Sequence, residues 1–220
     1  MPGWIQATII LATWAVLLAL YAVNRYGLKS RFLKDPIVVT LASSAAPDFK
    51  ADSFLSRAGT LVVFMANIAT FGLVFLLWLS PSTGRALSVL RLALPFWVQA
   101  VGGVLFVLYS FWGLLVLFFN PNYTPLYKNL RGRYVIATEG PYRWVRHPRY
   151  AAEAVLNVAL FLFTGFWTPL LGLCAWPALY AQARDEERLL LMLAPDAYGA
   201  YRQTTGMFFL KLRRTGVVQP

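Results

Sequence analysis

Charged residues are scarce in this sequence. They make up 13% of its 220 residues, whereas 59% are apolar and the mean hydropathy is +0.57. A soluble globular domain carries about 25% charged residues, so this composition excludes an ordinary water-soluble domain. We therefore expect lipid to be the main solvent of the chain.

Cysteine and histidine each occur once, as Cys174 and His147. A single cysteine excludes an intramolecular disulfide, and the two residues together cannot form a zinc-finger or thiolate-cluster spacing. We therefore expect no metal site and no metal-dependent chemistry.

Basic residues are more abundant, and the formal net charge is +11. The Lys and Arg residues do not cover a soluble face, as in many nucleic-acid-binding proteins, but are confined to the segments between apolar runs. This pattern predicts no nucleic-acid partner. It favours membrane lipid as a partner, because basic loops beside a bilayer bind anionic headgroups.

Three apolar runs contain no Lys, Arg, Asp or Glu: residues 4–23, about 60–79 and about 94–119. Each is long enough to cross a bilayer as a helix of about 20 residues. A fourth apolar stretch, residues 154–183, is broken at Trp167-Thr168-Pro169, which predicts a helical hairpin that enters the membrane. The sequence therefore predicts an all-α integral membrane protein with about five transmembrane helices, the last two forming the hairpin.

The segments between the runs differ in charge. Lys and Arg number six in residues 25–57, two in 85–91, six in 128–149 and six in 184–214. The positive-inside rule then predicts an N-terminus outside, with the first of these segments, the loop after the third run and the C-terminal tail in the cytoplasm. Residues 35–56 have the composition of a surface loop, for which we expect at most a short helix.

The hairpin is flanked by charges at both ends. Arg146-His147-Pro148 precedes it and Asp185-Glu186-Glu187 follows it. Because both ends of a hairpin lie on one side of the membrane, we expect these segments to form a polar pocket at the cytoplasmic interface. Four further arginines are more simply interpreted as snorkelling or ion-paired residues at helix ends: Arg143, Arg149, Arg184 and Arg188.

Residues 140–150 read Gly-Pro-Tyr-Arg-Trp-Val-Arg-His-Pro-Arg-Tyr and are followed by Glu153. This stretch resembles the cofactor-loop motif of the isoprenylcysteine carboxyl methyltransferase family, including its bacterial and phospholipid-methylating relatives. The resemblance covers about residues 120–212, and Ala194-Pro195 replaces the Phe-Gly that is usual in relatives. Further residues match that family in order and approximate spacing: Glu186-Glu187, Leu190, Tyr198, Tyr201 and Thr205-Gly206.

The resemblance implies two regions, residues 1–119 with three transmembrane helices and residues 120–220 as a methyltransferase-like cofactor-binding region with the hairpin. It implies that S-adenosyl-L-methionine binds on the cytoplasmic side, under the loop and the C-terminal tail, beside a lipid-facing tunnel for the acceptor. The implied function is S-adenosylmethionine-dependent methyl transfer to a hydrophobic or membrane-embedded acceptor, for example the carboxylate of a prenylcysteine-like substrate.

The same resemblance implies particular site residues. We expect His147 to bind the methionine carboxylate of the cofactor, and Glu186 or Glu187 to hold its amino group or ribose. Arg146 is expected to orient the acceptor or its carboxylate, and Arg146 and Glu187 are the expected catalytic residues. Glu153 either completes the pocket or pairs with Arg149 one turn earlier. The full set expected to bind the cofactor, in which the tyrosines contact adenine or sulfonium, is Tyr142, Arg146, His147, Tyr150, Glu153, Glu186, Glu187 and Tyr201.

Several functions remain open at this point. The acceptor group is a carboxylate, a phospholipid amine or a thiol; the last two need deprotonation, for which a glutamate is available. An NADPH-dependent membrane reductase of related fold is a second enzyme class, and a non-catalytic scaffold or small transporter is a third reading. The first three apolar runs hold only Gln6, Asn67, Gln99 and hydroxyls as polar groups, which argues against transport.

Overall fold

The computed structural model of the chain describes residues 1–24, 37–41, 54–84, 86–120 and 132–211. This part of the chain is mainly helical, as the sequence predicts. Two short strands, β1 (Ile37–Leu41) and β2 (Gly132–Ile136), and single turns of 3-10 helix lie between the helices. The helices in these residues are α1 (Gly3–Val23), α2 (Phe54–Leu79), α3 (Phe96–Phe119), α4 (Pro148–Thr164), α5 (Thr168–Cys174), α6 (Trp176–Leu193) and α7 (Pro195–Thr204).

Three helices are long and apolar enough to cross a membrane: α1, the Ala58–Leu79 part of α2, and α3, with 21, 22 and 24 residues. At about 1.5 Å per residue, each is long enough to span the hydrocarbon core of a bilayer, about 30 Å. Large apolar side chains point outward from them, as at Leu18 and Leu79, which are 69% and 75% exposed. Such a surface suits lipid rather than water.

The predicted hairpin is present, with α4 as one limb and α5 followed by α6 as the other. Gly165 ends α4 with a φ of 78°, a left-handed conformation that glycine adopts without strain. A methyl group there would also overlap the carbonyl oxygen of Leu92. Thr168 then begins α5, with Pro169 in its first turn. The break therefore falls where the sequence predicts it.

The tip of the hairpin contacts residues 90–92, at one end of the helical bundle. The Leu92 N–H donates to the Gly165 carbonyl at 2.8 Å, and the Trp167 N–H donates to the Leu90 carbonyl at 3.1 Å. These bonds satisfy backbone N–H and carbonyl groups at the turn, which would otherwise lack hydrogen-bond partners at the end of α4.

Helix α4 packs along α3 in the opposite direction. The indole N–H of Trp112 donates to the Pro148 carbonyl at 3.3 Å, and further along both helices the rings of Phe106 and Phe163 stack at 6.0 Å. Gly102 allows an approach so close that a methyl group there would overlap the backbone of Phe163. α4 therefore runs through the depth of the bundle.

Buried amides tie the first helix to this tip. Gln6 is fully buried, and its Nε2 donates to Oε1 of Gln99 at 3.2 Å and to the Phe163 carbonyl at 2.6 Å. Arg91 Nε donates to the Thr164 carbonyl at 2.7 Å. The two glutamines, which the sequence shows only as isolated polar residues in apolar runs, therefore join α1, α3 and the hairpin.

Two short strands accompany the helices of this mainly helical chain. β1 and β2 pair antiparallel, with Ile37 opposite Ile136 and Leu41 opposite Gly132. For residues 37–41, the expectation of a loop with at most a short helix is therefore wrong. The β-branched run Ile-Val-Val-Thr finds a partner far along the chain, and Ile37 packs against a cluster that contains Leu189 and Tyr198.

The chain beyond the hairpin turns back on the start of α4. α6 ends at Leu193 and Pro195 opens α7, because a proline has no N–H with which to continue the preceding helix. After α7, Phe208 is buried, whereas Phe209 and Leu210 are 78% and 69% exposed. This segment, residues 205–210, covers one side of the site described next.

Candidate functional site

The start of α4 and the segment after α7 pair through their backbones. The Arg146 N–H donates to the Gly206 carbonyl at 2.8 Å, and the His147 N–H donates to the Met207 carbonyl at 3.0 Å. Pro148 lies in the first turn of α4, where an N–H would have no helical partner. The helix therefore begins directly after His147, and the side chains of residues 146 and 147 lie between α6 and the C-terminal segment.

These two side chains meet two glutamates of α6. Arg146 Nε donates to Oε1 of Glu187 at 2.7 Å. His147 Nδ1 lies 3.6 Å from Oε2 of Glu186, and its Nε2 lies 3.3 Å from Oε1 of Glu187. The segments that flank the hairpin therefore lie together, as predicted. We call Arg146, His147, Glu186 and Glu187 the polar cluster.

Arg146 also binds the chain after α7. Its Nη1 donates to the carbonyl oxygens of Arg202, at 3.3 Å, and of Thr205. Arg202 in turn places its Nε 3.4 Å from Oε2 of Glu187. The planar guanidinium thus joins α6 to the chain after α7 through two different nitrogen atoms, Nε and Nη1, whereas an ammonium group has a single nitrogen.

His147 is enclosed by aromatic rings. Its ring stacks on Tyr150 at 5.6 Å with an angle of 9°, and lies 5.9 Å from the ring of Phe208. The Nε2 atom is buried and, among the residues that the structure describes, has no hydrogen-bond partner. Its contact with Glu187 is close but lacks hydrogen-bond geometry. A buried polar atom in this state is a candidate to bind a ligand.

The two carboxyl groups of the cluster have different environments. Burial raises the pKa of Glu186, and the neighbouring His147 and its hydrogen bonds only partly offset this. Burial acts on Glu187 in the same direction, but the interactions with His147 and Arg146 outweigh it and hold the pKa of Glu187 at about 2. Glu187 is therefore ionised at neutral pH, and Glu186 is the one that binds a proton more readily.

The three predicted tyrosines lie around the cluster in different ways. Tyr150 donates to Oε1 of Glu186 at 2.8 Å. The Tyr142 hydroxyl accepts a hydrogen bond from Asn120 Nδ2 at 2.9 Å, and burial raises the pKa of Tyr142 to about 12. Tyr201 donates to the Tyr142 carbonyl at 2.5 Å, and burial raises the pKa of Tyr201 too. Tyr142 and Tyr201 thus fasten the loop to α7.

Glu153 lies apart from the polar cluster. Its Oε1 accepts a hydrogen bond from Asn67 Nδ2 at 2.9 Å, and its Oε2 accepts one from the Tyr109 hydroxyl at 3.0 Å. Within the described part of the chain it forms no ion pair with Arg149. The predicted ion pair between Glu153 and Arg149 on one face of α4 is therefore wrong. The Glu153 side chain instead accepts hydrogen bonds from residues of α2 and α3.

Gln182 supports the cluster and was not predicted from the sequence. It hydrogen-bonds Glu186, and its Oε1 accepts a hydrogen bond from the Thr60 hydroxyl at 2.8 Å. One sequence feature could have indicated this role: Gln182 is an amide at the end of an apolar helix, one turn before Glu186. Its partner on α2, 122 residues earlier, could not be read from spacing.

An apolar cavity of about 1050 Å³ borders the cluster. Three alanines of α4, Ala151, Ala152 and Ala154, leave much of this space open between α3 and α4. Val145, Pro148 and Phe208 line its end nearest to His147. The rest of the lining is aromatic or aliphatic: Leu105, Leu108, Tyr109, Trp112, Trp144, Val155, Trp176, Phe209 and Leu210.

Among the described residues, no group of three or more His, Cys, Asp or Glu is placed to hold a metal ion. Comparison with known proteins adds no family: no family model matches the sequence, and no curated protein matches it significantly. The motif and the geometry around it are therefore the basis for inferring a function.

Proposed function

We propose that the protein is a membrane methyltransferase that transfers a methyl group from S-adenosylmethionine to a lipophilic acceptor. The polar cluster carries this proposal. It brings together two segments 41 residues apart, and these are the segments whose residues match the methyltransferase motif. An apolar cavity beside the cluster further supports the proposal, because such an enzyme must join a water-soluble donor to a lipid-soluble acceptor.

The cluster suits the polar end of S-adenosylmethionine. The amino group and ribose of the cofactor need hydrogen-bond acceptors, and its carboxylate needs a donor. Glu187, which stays ionised, would hold the amino group, and Glu186 would bond a ribose hydroxyl. His147 would bind the carboxylate through its buried Nε2, which forms no hydrogen bond within the described residues.

The bound cofactor would supply a methyl group on a positively charged sulfur that is already a good leaving group, so the protein has to align the reactants and exclude water. Arg146 is a positioning residue in this scheme. Its Nε and Nη1 bind Glu187 and the backbone after α7, which holds the C-terminal segment over the cluster. This role replaces the expectation that Arg146 orients the acceptor.

The hydrocarbon part of the acceptor would occupy the apolar cavity. Phe208 lines the cavity and also packs against His147, so it lies where the apolar space meets the polar cluster. An acceptor that is dissolved in the bilayer would enter between α3 and α4, whereas the cofactor would arrive from water.

The proposed topology has five crossings and a cytoplasmic site. α4 would be the fourth crossing, since its end packs against residues 90–92 at the far end of the bundle. α5 and the apolar first part of α6 would be the fifth, and Glu186 and Glu187 would lie beyond it. Eighteen of the 20 basic residues then lie on the cytoplasmic side, in agreement with the positive-inside rule.

Titration calorimetry tests the proposal. The full-length protein in detergent is titrated with S-adenosylhomocysteine and, separately, with NADPH. Saturable binding of S-adenosylhomocysteine without binding of NADPH is the expected result. Binding of NADPH alone would replace the methyltransferase with a membrane reductase, and binding of neither ligand would favour a non-catalytic scaffold.

A further inference from the structure

Glu186 of the polar cluster receives hydrogen bonds from two helices. The Tyr150 hydroxyl of α4 donates to its Oε1 at 2.8 Å, and the side chain of Gln182 bonds it from one turn earlier on α6. An amide donates only through its nitrogen, so Gln182 Nε2 is the donor when Glu186 is ionised. Two hydrogen bonds are thus directed at one carboxyl group.

Helix α2 holds the other end of the Gln182 amide. The Thr60 hydroxyl donates to Gln182 Oε1 at 2.8 Å, and Gln182 is buried. Turning the amide over would direct its carbonyl oxygen at the Glu186 carboxylate, so that two acceptors faced each other. The amide nitrogen therefore stays toward Glu186 as long as Glu186 is ionised.

Tyr150 is held in place independently of its bond to Glu186. Its ring stacks on His147 at 5.6 Å, and the indole N–H of Trp176 donates to its backbone carbonyl at 3.3 Å. Phenylalanine at this position would keep the stacked ring and the backbone bond and lose only the hydroxyl. One donor to Glu186 can therefore be removed while the packing around His147 is kept.

Several influences act on the charge of Glu186 in opposite directions. Burial raises the pKa of Glu186 above its ordinary value of 4.5, and His147, Arg149 and the two hydrogen bonds only partly offset this. By contrast, the pKa of Glu187 is about 2. Glu186 therefore gains a proton in a pH range where Glu187 keeps its charge. Two further titratable groups lie near Glu186: Tyr142 of the loop and Tyr198 of α7.

We propose that Gln182 and Tyr150 are positioning residues that hold Glu186 ionised, as the acceptor of a hydrogen bond from the ribose of the cofactor. This inference rests on the proposed methyltransferase function. A carboxylate has about four lone-pair sites, so the bonds from Gln182 and Tyr150 leave sites for a ribose hydroxyl. A protonated Glu186 loses the charge that strengthens this bond. Cofactor binding should therefore weaken in acid through Glu186.

The pH dependence of binding tests the inference. The Kd of the full-length protein in detergent for S-adenosylhomocysteine is measured between about pH 8 and about pH 4. For the wild type we expect the Kd to rise about tenfold as the pH falls through the pKa of Glu186. Gln182→Met and Tyr150→Phe each remove a donor to the ionised form, so each should move this rise to a higher pH, by about one unit. Protonation of His147 would act in the opposite direction, because a charged imidazole binds the carboxylate of the ligand more tightly.

Two variants control for a merely structural effect. Asn157→Leu removes another buried amide, which donates to the Glu153 carbonyl. Asp185→Asn removes the charge next to Glu186, which pairs with the exposed Arg188. Both should keep the wild-type pH profile. Glu186→Gln should bind S-adenosylhomocysteine about tenfold more weakly than the wild type at neutral pH and show no further weakening in acid.

Infrared spectroscopy reports the same proton without a ligand. The carboxyl C=O band that Glu186→Gln removes should appear at a higher pH in Gln182→Met and Tyr150→Phe than in the wild type. A wild-type pH profile in either variant would overturn the role of that residue, and acid-dependent binding that persists in Glu186→Gln would overturn the role of Glu186. If the wild type binds no S-adenosylhomocysteine, the proposed function is refuted, and the infrared shifts still decide whether Gln182 and Tyr150 act on Glu186.

Discussion

Glu187 is the residue at which the charges of the polar cluster meet. Arg146 donates to its Oε1 at 2.7 Å, His147 Nε2 lies 3.3 Å from the same oxygen, and Arg202 Nε lies 3.4 Å from Oε2. The guanidinium groups of Arg146 and Arg202 are positive neighbours, and they favour the ionised carboxylate over the protonated form. Ionisation of this one side chain is therefore linked to folding of α6 against the C-terminal segment.

The stability of the protein should accordingly fall in acid. The pKa of Glu187 is about 2 in the folded protein against an ordinary value of 4.5. Its contribution is thus fully present above the ordinary value and is lost as the pH falls toward the folded one. We predict that the midpoint of thermal unfolding drops more steeply between about pH 5 and about pH 3 for the wild type than for Glu187→Gln. Asp185→Asn should behave as the wild type. Parallel pH curves for the wild type and Glu187→Gln would contradict this role.

Single residues also show what the sequence does and does not reveal. The charges that flank the hairpin predicted that Arg146 and His147 lie close to Glu186 and Glu187, because both ends of a hairpin lie on one side of the membrane. The contacts of Glu153 and Gln182 were not predicted, since both reach residues of α2 more than 80 positions earlier, Asn67 and Thr60. Contacts between distant helices depend on rotation and depth, which a run of apolar residues does not specify.

Among the described helices, α3 and α4 are the most extensively packed pair. Gly102 allows the backbones of the two helices to approach each other closely. A methyl group at Gly102 would overlap the backbone of Phe163, whereas one at Gly113 would meet nothing within 4 Å. Both glycines lie in α3, so they are a matched pair. We predict that Gly102→Ala lowers the free energy of unfolding by about 1–3 kcal/mol, as overpacking does, and that Gly113→Ala does not lower it.

Thermal unfolding in the same detergent measures both variants. Because α4 carries His147 at its start, Gly102→Ala should also weaken S-adenosylhomocysteine binding, and Gly113→Ala should leave it unchanged. Equal stability of the two variants would show that α3 and α4 are not packed as described.

The helical elements were largely predictable and the strands were not. Length and composition identified α1, α2 and α3, because a bilayer fixes how many apolar residues a span needs. The hairpin break followed from Pro169 and its neighbours. β1 has five residues and pairs with β2, whose residues lie 91 to 99 positions further along, and a strand this short has no periodicity that distinguishes it from a loop.

The distribution of basic residues and the position of the hairpin tip together predict the membrane topology of the whole molecule. Residues 80–84, residues 86–95 and the tip lie at one end of the bundle, and the polar cluster lies at the other. We predict that these ends face opposite sides of the membrane, with the cluster in the cytoplasm.

Cysteine labelling tests that prediction. Cys174, the single cysteine, is first replaced by alanine, and the exposed residues Ser82 and Gln203 are then changed to cysteine one at a time. Ser82→Cys should react with a membrane-impermeant maleimide in intact cells, and Gln203→Cys only after permeabilisation. Reaction of both from one side would contradict the five-crossing topology.

The central claim is that the polar cluster is the S-adenosylmethionine site, and one binding experiment tests it most directly. The affinity for S-adenosylhomocysteine is measured by calorimetry for the wild type, His147→Ala, Glu187→Gln and the control Asp185→Asn, each shown to be folded by its unfolding midpoint. We predict that His147→Ala and Glu187→Gln each weaken binding about tenfold or more, as loss of a charge-assisted hydrogen bond does, while Asp185→Asn binds like the wild type. Wild-type affinity in folded His147→Ala and Glu187→Gln would contradict the assignment of this cluster as the cofactor site.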